Sequence, residues 1–71
     1  MLFTDVSAKS AVAAFQKAGF WVSKTFGAKH IGMTNGTRKI TIPRHNRLNP
    51  YTLKGIIRDA GLTDEEFKKL R

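Results

Sequence analysis

The chain has 71 residues and no cysteine. One small domain over residues 1–71 is therefore expected, held by an apolar core without disulfides or a thiolate metal site. Thirteen Lys and Arg against five Asp and Glu give a formal net charge of +8, and residues 6–58 contain no acid at all. That balance argues against chemistry built on paired carboxylates and for a polyanionic partner, which a cationic surface attracts by releasing its counterions.

The first predicted element is a helix. Ser7 suits the N-cap, and Ala8, Ala11, Val12, Phe15 and Ala18 recur at the spacing of one helix face. Gly19 ends it. Residues 20–26 (FWVSKTF) then read as a strand, with Phe20 and Val22 on one face and Trp21, Ser23 and Thr25 on the other. Trp21 falls with the polar set, where an indole can stack on a base or pack at an edge or oligomer contact. Gly27 and Ala28 are the expected turn into a second strand from Lys29 to Thr34.

Asn35-Gly36 is a strong signal for a two-residue type I′ hairpin turn. With those two residues at the tip, Gly32 faces Lys39, Ile31 faces Ile40 and His30 faces Thr41. Ile31, Met33, Ile40 and Ile42 then line the core side. His30, Gly32, Thr34, Lys39 and Thr41 line the other, with Lys39 diagonal to His30 and within side-chain reach. Pro43 stops the third strand, and Arg44, His45 and Arg47 make the following loop basic. Asn49 caps a second helix with Pro50 at its first position. Its buried stripe is Leu53, Ile56, Ile57 and Ala60, while Lys54 and Arg58 form a pair of like charges one turn apart. Gly55 inside this helix suggests a close-packed neighbour. Gly61 closes it, and Thr63 to Glu66 form a capping box for a short last helix carrying Phe67 and Leu70.

The order is helix, three antiparallel strands, helix, short helix. It predicts an α+β two-layer domain with the α-β-β-β-α arrangement of the double-stranded-RNA-binding fold. No apolar run approaches the ~20 residues that cross a bilayer. The start, MLFTDVSAKS, shows no basic segment followed by an apolar one. A cytoplasmic protein without membrane contact is expected.

Four stretches resemble the HicA-type toxins, also called YcfA-like: VSAKSAVAAFQKAGF, the strand that carries His30, NGTRKITIPRHN, and LNPYTLKGIIRDAGLTDEEFKKL. The resemblance covers nearly the whole chain. It implies a bacterial mRNA interferase neutralised by a HicB-type antitoxin. The family's active histidine usually follows Gly-Ser. Counting back from Asn35-Gly36 puts His30 at that position, with Ala28 and Lys29 in place of the Gly-Ser pair.

Cleaving RNA without a metal requires a proton taken from a ribose 2′-OH, a proton given to the leaving 5′-oxygen, and positive charge at the phosphate. A histidine can do either proton job near neutral pH, and lysine or arginine can stabilise the transition state. By its spacing alone a lone strand histidine reads first as a plain surface residue, and it is the resemblance that makes His30 the expected general acid or base. Lys29 and Lys39 are its expected phosphate contacts. Arg38, Arg44 and Lys54 are further cations expected to bind RNA. No cofactor or metal is expected, because His30 and His45 lack carboxylate or thiol partners. The free toxin is expected to be a monomer. Two other readings stay open: an RNA-binding module of the same fold without chemistry, and a partner-binding protein whose basic surface serves an acidic antitoxin.

Overall fold

A computed structural model describes residues 2–26 and 29–71. The side chains of Thr25 and Phe26 lie outside that description, as does the expected turn at Gly27 and Ala28. The elements run α1 (Ala8–Lys17), β1 (Trp21–Phe26), β2 (His30–Thr34), β3 (Lys39–Pro43), α2 (Pro50–Asp59) and α3 (Asp64–Leu70). This is the α-β-β-β-α layout with a short C-terminal helix.

Each helix starts where a side chain can satisfy otherwise unpaired backbone N–H groups. The Ser7 hydroxyl accepts from Ser10 N, the Asn49 side-chain Oδ1 from Tyr51 N and Thr52 N, and Thr63 and Glu66 form a reciprocal capping box. α1 buries Ala8, Ala11, Ala14 and Phe15, and α2 buries Leu53, Ile56 and Ile57. Gly61, at φ 78°, takes the left-handed conformation that a helix end favours.

The sheet is antiparallel in the order β1-β2-β3, so β2 is central. α1 and α2 pack against β3, and α3 packs against both helices. Met33, Ile40 and Ile42 are buried beneath them, and Ile31 packs half-buried beside them. The far side of the core is an aromatic cluster in which Phe67 meets Phe3 at 5.1 Å and Phe15 at 5.2 Å between ring centroids. Phe3 and Val6 show that the segment before α1 belongs to the core, although no periodic pattern marks it. It is fixed by Leu48 N donating to the Val6 carbonyl at 2.7 Å.

Three expectations are corrected. The β2–β3 turn is centred on Gly36 and Thr37, not on Asn35 and Gly36: Asn35 N donates to the Arg38 carbonyl, and Thr34 pairs with Lys39. A type I′ turn needs positive φ at both central residues. Gly36 has φ 95°, but no residue other than glycine is positive among those described. Asn35 instead uses its side chain, whose carbonyl oxygen accepts from Thr37 N and Arg38 N at 2.9 and 2.7 Å. His30 therefore pairs with Pro43, and Gly32 with Thr41. A shift of two partners keeps every side chain on its expected face.

Second, β1 has a bulge at Ser23, between the pairs Val22–Met33 and Lys24–Gly32. The extra residue reverses the alternation, so Lys24 joins the face of Trp21 instead of that of Val22. The Ser23 hydroxyl donates to the Gly32 carbonyl at 3.4 Å across this irregularity. Third, Gly55 has no close-packed neighbour: a Cβ built there meets nothing within 4 Å.

Candidate nucleic-acid interface and its histidine

One face of the sheet carries the helices and, among the described residues, the other carries none. Along the open face the pairing makes three rungs. The first is Trp21, Thr34 and Lys39, the second Lys24, Gly32 and Thr41, and the third has His30 beside Pro43. Trp21, Lys24, His30, Lys39 and Thr41 are exposed and Thr34 is half-buried. Gly32 is buried and offers no side chain, so the middle of the face is low. None of these residues is acidic. The acids serve elsewhere: Asp5 pairs with Arg71 at 3.2 Å, and Glu66 caps α3.

His30 opens β2 at the end of the sheet reached by the β3–α2 loop. Arg44 N donates to the Lys29 carbonyl at 2.7 Å, which ties the residue before His30 to the residue after Pro43. Lys29, His30 and Arg44 are all exposed there. No hydrogen bond to the His30 ring is made by any described side chain, so a ligand meets the imidazole without first displacing one.

The other expected cations lie elsewhere. Lys39 stands across from Thr34, four residues along β2 from His30, which at the rise of a strand is about 13 Å. The diagonal neighbour of His30 on this face is Lys24, which pairs with Gly32. Lys24 was not singled out from sequence. The signal was present, because strict alternation would drive a lysine onto the core face with Phe20 and Val22, and a bulge is the way out. Arg38 turns to the end of α2, where its guanidinium donates to the Asp59 carbonyl at 3.3 Å and fills the space a Cβ on Gly61 would occupy. Lys54 is half-buried on α2, on the helical side of the sheet.

His45 belongs to a different surface. It lines a groove of about 680 Å³ on the helical side, with Lys9, Val12, Ile31, Arg44 and Asn46. The loop is pinned there by Ala8 N donating to the His45 carbonyl at 2.9 Å. The two histidines thus open to opposite sides of the sheet end. Among the described residues no three His, Cys, Asp or Glu side chains gather in a way that would hold a metal ion. No helix among the described residues is long and apolar enough to cross a membrane.

Comparison with known proteins adds a family. The model of the HicA toxin of bacterial toxin–antitoxin systems matches residues 8–62, which takes in α1, all three strands and α2. No curated protein matches the chain.

Proposed function

The chain belongs to the HicA toxin family and is thus the toxin of a toxin–antitoxin system, with an antitoxin as partner, and we propose that it acts as a metal-independent endoribonuclease on mRNA. His30 is the general acid or base. In one step the ribose 2′-oxygen loses its proton and bonds to the adjacent phosphorus. The bond from phosphorus to the 5′-oxygen breaks, and that oxygen takes up a proton; His30 carries one of the two proton transfers and water the other. The products are a 2′,3′-cyclic phosphate and a 5′-hydroxyl. Lys24, diagonal to His30, and Lys29, which precedes it, are the cations that would hold the charge that builds on the phosphoryl oxygens.

The observation that carries this reading is the position of His30: exposed, on an acid-free face, with a lysine before it in sequence and another diagonal to it. The antitoxin is of the HicB type and silences the toxin by covering this face. The toxin works in the cytoplasm. Free of antitoxin it is a monomer, because the bulge at Ser23 breaks the regularity of the exposed β1 edge and a charge of +8 opposes self-association.

The test is induction in a host that lacks the antitoxin. The chain arrests growth, His30→Ala at equal abundance does not, and arrest is relieved by co-expressing the antitoxin. Arrest by His30→Ala as strong as by the unaltered chain would remove the histidine from the reading.

A further inference from the structure

The proposed chemistry uses one end of the open face and leaves the other end unexplained. There stands Trp21, the only tryptophan of the chain. It is 52% exposed, though an indole is among the most favourable side chains to bury. Its Cη2 reaches to 3.6 Å from where a Cβ on Gly36 would stand, so the ring lies towards the turn. Beyond Thr34 on the same rung is Lys39, the cation that the register moved away from His30. Between the Trp21 rung and the His30 rung the sheet has its low point at Gly32, flanked by Lys24 and Thr41. A glycine within a strand often marks a bulge, here the one at Ser23 in the neighbouring strand, and it leaves no side chain standing above the sheet between the two rungs.

We infer that this face is a track for single-stranded RNA. A base stacks on Trp21, the sugar–phosphate chain crosses the saddle at Gly32 between Lys24 and Lys39, and the scissile phosphate lies at His30. The inference rests on the endoribonuclease reading for its far end. The occupant is RNA by charge complementarity, since the face has lysines and no acid. A second copy would set Lys24 and Lys39 against themselves. The strand must be single, because a paired base keeps its faces stacked within the duplex and cannot be taken up by an indole. Stacking tolerates any base, so Trp21 adds affinity and sets the distance to the cut with little sequence preference.

The experiment uses the full chain carrying His30→Ala, so that RNA is bound and not consumed, and reads the emission of its single tryptophan. An uncleaved single-stranded oligoribonucleotide should quench that emission saturably, and the same sequence in a duplex should not. In a labelled-RNA binding assay, Trp21→Ala in the same background should weaken affinity about 5- to 150-fold, the range for one stacked base. Trp21→Phe should recover most of it, with thermal melts unchanged. Unaltered emission with RNA, or equal affinity for Trp21→Ala and the parent, would overturn the track. Cleavage by the chain with His30 intact is scored separately. Cutting without quenching removes the track and leaves the enzyme, while quenching without cutting does the reverse.

Discussion

At the scale of single residues, the account turns on which lysine stands near His30. A two-residue turn at Asn35-Gly36 would have set Lys39 diagonal to the imidazole. The turn at Gly36-Thr37 sets it two rungs away, and the Ser23 bulge brings Lys24 into that place. The two lysines should therefore fail differently. Lys24→Ala is expected to lower kcat by on the order of a hundredfold, as loss of a group that stabilises transition-state charge does. Lys39→Ala should raise KM and leave kcat nearly unchanged, because its phosphate lies away from the reacting one. Steady-state kinetics on one short RNA separate the two, and matching losses of kcat would contradict the register argument. Arg38 is a different case. Its guanidinium is hydrogen-bonded at the end of α2, so its substitution should show in stability before it shows in RNA binding.

At the scale of elements, much was readable in the sequence because each helix announces its own start. Ser7, Asn49 and Thr63 are cap residues by type, and each makes the expected cap. The strands were readable from alternation and from Pro43. What could not be read was register. Asn-Gly says that the chain turns, but whether Asn35 supplies a left-handed residue or a capping side chain depends on partners that alternation does not name. The bulge is hidden for a similar reason: one unpaired residue leaves the composition of β1 unchanged. Phe3 and Val6 were missed because a segment with no repeat gives no period to detect, and their burial is decided by α3 and Leu48. Gly55 gives the element-scale prediction. It sits mid-helix with open space where a Cβ would go. Gly55→Ala should therefore stabilise the protein by about 1 kcal/mol and raise Tm by roughly 4–8 °C. A lower Tm by calorimetry would mean that the added methyl group clashes within the chain, contrary to the open space at Gly55.

At the scale of the whole molecule, the separation of charge is the organising fact. The five acids flank an acid-free stretch from residue 6 to residue 58, and folding turns that stretch into an acid-free sheet face. Lys24 and Lys39 on this face, with Lys29 at its end, would neutralise about three phosphates, so the logarithm of the RNA association constant should fall against log salt with a slope of about −2. A slope near zero, by anisotropy titration at several salt concentrations, would mean that the cations do not meet the RNA backbone. On the proposed reading the same charge would make the partner necessary: a surface that bound any exposed RNA strand would be harmless only when covered.

The most direct measurement is end-group analysis of RNA incubated in EDTA with the purified chain and with His30→Ala, at matched thermal melts. The account predicts fragments ending in 2′,3′-cyclic phosphate and beginning with a 5′-hydroxyl from the unaltered chain, and intact RNA from His30→Ala. Fragments of the same kind from His30→Ala, or cutting that stops in EDTA, would contradict it.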